Sequence, residues 1–64
     1  MADFRVDNHG SIIGITPMNP IATEWLTDNV QAESWQWMGA TLCVDTRIAG
    51  DLIEGIQTAG LTIE

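Results

Sequence analysis

The chain has 64 residues, 45% of them hydrophobic, and carries nine acidic side chains against two arginines, for a formal net charge of −7. That length accommodates one domain, residues 1–64, and a chain this short buries only about 60% of the surface its unfolded form exposes. A single cysteine, Cys43, and a single histidine, His9, exclude an internal disulfide and fall short of the four ligands of a structural zinc site, so no metal or other cofactor is expected.

In chain order, Asp3-Phe4-Arg5-Val6-Asp7 alternates, with Phe4 and Val6 on one face and the charged residues on the other, which is the period of a strand. Asn8-His9-Gly10 reads as a turn in which Gly10 takes a positive φ. Ser11 to Thr16 is rich in β-branched residues and completes a hairpin, with Gly14 marking a bulge or a close backbone approach. Pro17-Met18-Asn19-Pro20 then interrupts the strand. Asn19 suits an N-cap and Pro20 the first helical position. Ile21, Ala22, Trp25, Leu26 and Val30 recur at helical spacing and predict a helix over 20–30, with Glu24, Thr27, Asp28 and Gln31 facing outward.

Gln31 to Gln36 fits either a short helical turn or a loop. The apolar run Trp37 to Val44 predicts a third strand, with Gly39 its weak point. Asp45 is placed to cap a second helix, Thr46 to Ala59, whose apolar stripe is Ile48, Ala49, Leu52, Ile53 and Ile56. Gly50 and Gly55 each cost that helix about 1 kcal/mol relative to Ala, so tertiary packing has to support it. Gly60 is placed just past the helix end, where Leu61 can fold back on the last turn, and Leu61-Thr62-Ile63 finishes as a short strand. The predicted order is ββαβαβ. This is an α+β fold with a small, mostly antiparallel sheet of three to four strands and two helices on it, or three if Gln31 to Gln36 is helical.

No constellation for catalysis stands in this sequence. There is one His, no Lys and no Tyr, and no Gly-rich phosphate loop, nucleophile elbow, HExxH or CxxC. Every acidic residue falls in a turn, at a cap or on a polar face, away from any apolar pocket that would raise its pKa. An enzyme is not expected. Cys43 reads as a small buried hydrophobe within Thr41-Leu42-Cys43-Val44; as a nucleophile it lacks a nearby base, the histidine being 34 positions away. His9 reads as an exposed turn residue or as a partner contact at the hairpin tip. Trp25 belongs to the stripe of the first helix and to the core. Trp35 and Trp37 would share one face of a strand, and either both cap the core or one stays exposed as an interface anchor, with Trp35 the candidate.

The acidic side chains form pairs. Glu24 and Asp28 are four apart and stack about 6 Å from each other along a helix axis. Asp51 and Glu54, three apart, repeat this on the second helix, where Asp51 can also pair with Arg47. Asp3 and Asp7 share the outer face of the first strand, and Glu33 and Asp45 lie near loop or cap positions. Such a pattern usually means only solubility. The lack of lysine is unusual for that purpose, and excess like charge destabilises a compact state, so a function that uses the negative field would account for it. DNA presents one phosphate charge about every 1.7 Å of axis, and carboxylates several Å apart can compete for the same basic channel. Glu24, Asp28, Glu33, Asp51 and Glu54, with Trp35, are the candidate partner-binding residues. The same charge repels nucleic acid and anionic membranes, so neither is an expected direct partner. No basic start followed by an apolar run is present, and no stretch approaches the roughly 18 apolar residues of a membrane span. A cytoplasmic location is expected, which a lone free thiol also fits.

Three segments carry a resemblance. They are Ala2-Asp3-Phe4-Arg5-Val6-Asp7-Asn8-His9-Gly10-Ser11-Ile12, the acidic-aromatic stretch Glu33 to Trp37, and Ile48-Ala49-Gly50-Asp51-Leu52-Ile53-Glu54-Gly55 followed by Gly60-Leu61-Thr62. Together they resemble a group of small acidic proteins of proteobacteria and their mobile elements, one branch of which is phage-borne anti-CRISPR proteins directed at type I-C systems. The resemblance implies an inhibitor, in the cytoplasm of a bacterial host, that binds a protein subunit of a type I-C effector complex (Cascade). Such complexes hold the DNA backbone in positively charged channels, and an acidic DNA mimic acting as a monomer could occupy one and block target DNA. No motif of the group says which carboxylates make contact. The other reading is a small acidic adaptor or antitoxin-like regulator that binds a basic or apolar protein surface.

Overall fold

The computed structural model describes residues 2–30 and 36–64. The first hairpin forms where the alternation places it. Strand β1 (Phe4–His9) pairs antiparallel with β2 (Ile12–Pro17) in the register Phe4↔Pro17, Val6↔Ile15 and Asn8↔Ile13. Residues directly opposite each other share a face, so Phe4, Val6, Ile13 and Ile15 point together into the core. Gly10 stands at φ +82° and its N–H donates to Asn8 Oδ1 at 2.8 Å. The loop is only Gly10-Ser11, with positive φ at its first residue alone, as a type II′ turn requires. Asn8 and His9, expected in the turn, are the last residues of β1. Gly14 causes no bulge, since the register runs through it unbroken, and it is instead a point of close approach.

Helix α1 (Pro20–Asn29) starts as its sequence predicts. Asn19 Oδ1 accepts from the Ala22 N–H at 2.8 Å and Pro20 takes the first position. Ala22 and Leu26 are buried, while Trp25 is half-buried and meets Phe4 edge-on at 6.1 Å between centroids. Ile21, expected in the apolar stripe, is 68% exposed. It lies about 100° around the axis from Ala22 and so leaves the line that Ala22 and Leu26 define.

The expected third strand is a second hairpin. Strand β3 (Trp37–Met38) pairs with β4 (Thr41–Asp45) across Gly39-Ala40, with Gly39 at φ +63°. A positive φ is open to Gly at no steric cost, and here it reverses the chain where a continuous strand was predicted. β4 returns to pair antiparallel with β2, giving a four-stranded antiparallel sheet in the order β1-β2-β4-β3.

Helix α2 (Thr46–Thr58) is capped by Asp45, whose Oδ1 accepts from the Ile48 N–H at 2.9 Å. It ends in a Schellman motif. The Leu61 N–H reaches Ile56 O and the Gly60 N–H reaches Gln57 O, both at 3.0 Å, with Gly60 at φ +82°. The predicted C-terminal strand is reduced to one parallel bridge, Phe4↔Ile63. Element order is therefore ββαββα, not ββαβαβ, within the same α+β class. Both helices contact β2, and α2 also contacts β4. Phe4, Ile15, Leu42 and Val44 of the sheet form one core with Ala22 and Leu26 of α1 and Ala49 and Ile56 of α2. Both helices thus lie on one face of the sheet, and among the described residues no helix covers the other face.

Candidate functional site

The fold assigns seven of the eight described acidic side chains to two kinds of position, and the eighth, Glu64, is exposed at the last residue. Three have structural work. Asp3 ties the chain ends together: Oδ2 accepts from Thr62 N at 3.0 Å and Thr62 Oγ1 at 3.2 Å, and Oδ1 accepts from Asn19 Nδ2 at 2.7 Å. The Thr62 backbone N–H, then the Asn19 amide, hold the Asp3 carboxyl below the usual carboxylate range. Asp7 pairs with Arg5 at 3.5 Å on the outer sheet face. Asp45 is the cap of α2. Asp3 was expected to share a free outer face with Asp7; it precedes β1 and its charge is occupied.

Glu24, Asp28, Asp51 and Glu54 are different. All four are exposed, and among the described residues none has a hydrogen-bond or ion-pair partner. The expected Arg47–Asp51 pair is not formed; Arg5–Asp7 is the one ion pair among the described residues. Asp51 and Glu54 line an open groove of about 440 Å³ between the helices, together with Trp25 and Asn29 of α1 and Thr58 of α2. Gly55 brings the helices close here, since a Cβ on it would stand 3.4 Å from the Trp25 indole. Asp28 projects about 60° around α1 from Trp25 and Glu24 about 100°, both away from the buried line of Ala22 and Leu26. The two acidic pairs therefore stand along the solvent side of one helix layer.

This placement does not serve helix stability. Neither helix has an acidic residue in its first turn or a basic one in its last, although charges so placed would favour the macrodipole by about 0.3–1 kcal/mol each. Asp28 lies in the last turn of α1, where a negative charge opposes the dipole.

The other two candidates, Glu33 and Trp35, lie outside the described residues, as does most of the Gln31 to Gln36 segment. Trp37 is half-buried and packs on the core, which fits both readings of the Trp35 and Trp37 pair. Trp25, assigned to the core by its spacing, also faces the inter-helical groove. Cys43 is half-buried on the outer sheet face, not in the core, because its neighbours Leu42 and Val44 take the inward positions of β4. His9 is exposed, at the end of β1. Among the described residues no three His, Cys, Asp or Glu side chains cluster as metal ligands would, and no helix is long and apolar enough to cross a membrane. The chain matches no protein-family model, and no curated protein or solved structure matches it.

Proposed function

We propose that the chain is a protein-binding inhibitor whose acidic helix layer takes the place of DNA on a basic nucleic-acid-binding surface. The observation that carries this reading is the separation of the carboxylates. Those with structural roles are engaged elsewhere, and four unpartnered ones share the outer side of α1 and α2. Within each pair the rise along the helix is about 4.5–6 Å, a spacing at which carboxylates can engage Lys and Arg side chains that otherwise hold phosphates. The resemblance of residues 2–12, 33–37 and 48–62 to small acidic proteins with a type I-C anti-CRISPR branch suggests the candidate target, a protein subunit of a phage host's type I-C effector complex. Bound there, the chain would keep target DNA out of the channel and needs no catalysis.

The test is a gel shift of purified type I-C effector on target DNA after incubation with the protein. The DNA shift is expected to disappear with the wild type. It is expected to return with Glu24→Lys/Asp28→Lys and with Asp51→Lys/Glu54→Lys, and direct binding of the wild type to DNA-free effector is expected to weaken as salt is raised and surface charges are screened. Undiminished inhibition by both double reversals would remove the acidic helix layer from the mechanism.

A further inference from the structure

The sheet face opposite the helices has its own character. A trough of about 400 Å³ opens on it, lined by Asp7, His9, Ile12, Met38, Thr41 and Cys43. It surrounds Gly14, where a Cβ would meet Thr41 Cγ2 at 3.0 Å and His9 Cδ2 at 3.9 Å. Two apolar side chains stand out at its rim, Met38 at 73% and Ile12 at 43% exposure.

We propose that this face docks a second copy of the chain, two copies packing sheet to sheet about a two-fold axis. Charge distribution selects that occupant. The chain carries −7 overall, and the unpartnered Glu24, Asp28, Asp51 and Glu54 are on the helix layer, so two copies meeting through the helices would bring like charges together. The sheet face carries both signs, Arg5 beside Asp7 at 3.5 Å, while Asp45 at its rim is engaged in capping. A two-fold contact uses the same patch on both sides and needs a self-complementary surface. A face bearing a neighbouring plus and minus meets that need, because Arg5 of one copy can approach Asp7 of the other. A strongly basic partner, by contrast, finds little net charge here to attract it.

Burial of this face also leaves few polar groups stranded. The Thr16 and Thr41 hydroxyls hydrogen-bond each other at 2.7 Å, so their desolvation is already offset. The trough between Ile12, Met38 and Cys43 leaves room into which a side chain of the other copy, Met38 for one, can insert. The footprint is small. Strands about 4.8 Å apart and up to six residues long span roughly 20 by 20 Å, under the ~800 Å² per partner of a standard interface. The dimer is therefore weak, with a dissociation constant of roughly 10–200 μM.

Sedimentation equilibrium over about 5–500 μM brackets that range. The mass of the wild type is expected to rise from 7.0 kDa toward twice that value with concentration. Ile12→Asp and Met38→Asp, each checked for folding by circular dichroism, are expected to weaken association at least about tenfold, and Glu54→Gln on the helix layer to leave it unchanged. Met38 is beside a turn and largely in solvent, so its variant tests the contact without touching the core. A wild type that stays at 7.0 kDa throughout, or a dimer that survives both sheet-face variants, overturns the proposal. The test does not involve the helix layer, so its result is separate from that of DNA exclusion.

Discussion

The two outer surfaces of this molecule differ in how their polar groups are used. On the sheet side, Arg5 and Asp7 pair, Thr16 and Thr41 hydrogen-bond, and Asp45 caps a helix. On the helix side, Glu24, Asp28, Asp51 and Glu54 project into solvent with no partner among the described residues. A net charge read from composition is an average, and the fold resolves it into a nearly neutral face and a strongly negative one. The negative face also costs stability. Like charges three or four apart on a helix repel by roughly 0.2–0.5 kcal/mol per pair, and Asp28 opposes the α1 dipole besides. Residues that weaken their own helices and bond to nothing nearby are what the proposed partner-binding role requires.

The largest effect expected is on that side. Reversing all four carboxylates to Lys, at roughly 1 kcal/mol each for exposed pairs, should lower affinity for the proposed basic partner by about three orders of magnitude. The same protein should melt close to the wild type, since relief of the dipole opposition at Asp28 offsets the new like-charge contact of position 51 with Arg47 one turn earlier. Titration calorimetry beside a thermal melt measures both. Weaker binding together with a lower melting temperature would mean that the four residues are structural, and the contrast between the faces would collapse.

Two glycines sharpen the comparison. A Cβ at Gly14 would stand 3.0 Å from Thr41 Cγ2, a stiff β-branched neighbour whose hydroxyl is held by Thr16. Gly14→Ala should destabilise by about 1–2 kcal/mol through crowding and a strained hydroxyl pair. Gly50 is exposed in the interior of α2, with nothing within 4 Å of an added Cβ. Gly50→Ala should stabilise by about 0.5–1 kcal/mol, chiefly by restricting the unfolded chain. Urea denaturation of both variants gives the two signs directly. A stabilising Gly14→Ala would mean that the sheet face is looser than its close approach implies.

What could be read from the sequence follows how local each signal is. Gly10 after Asn8, Asn19 before Pro20, Asp45 ahead of an apolar stripe and Gly60 behind it are all set within four residues; the three helix ends form as predicted and Gly10 takes its positive φ, though the turn is Gly10-Ser11 and not Asn8-His9-Gly10. Gly39-Ala40 lies inside an apolar run with only one turn-forming residue, so the second hairpin was hidden in a predicted strand. Ile21 and Ile48 matched the helical period but lie at the first turns of their helices, and both are substantially exposed. Asp51 and Glu54 were identified by spacing alone, and the groove beside them by nothing local, because it needs Trp25 of α1 laid on Gly55 of α2. The Asp3 network was beyond reach for the same reason, since its partners lie 16 and 59 positions away.

Asp3 supplies the smallest effect and the one with the clearest sign. Its carboxylate accepts from Asn19 and Thr62, joining the N-terminal strand, the α1 cap and the chain end. These bonds favour the ionised form, and the carboxyl is held below its ordinary value. A group with a depressed folded-state pKa contributes stability that is fully present above its unfolded value, about 3.9 for Asp, and lost as pH falls through the lower folded value. The melting-temperature gap between wild type and Asp3→Asn should therefore be constant from neutral pH down to about pH 5 and close as the pH drops below about 4. The uncharged amide keeps an acceptor oxygen for one donor and presents an N–H₂ to the other, so the variant isolates the carboxylate while leaving side-chain volume nearly unchanged. A gap that persists unchanged in acid would mean that the side chain acts without its charge, and no gap at any pH would assign the link between the chain ends to backbone pairing around Phe4 and Ile63. Closure would identify Asp3 as a carboxylate whose negative charge stabilises this fold, in contrast to the four on the helices.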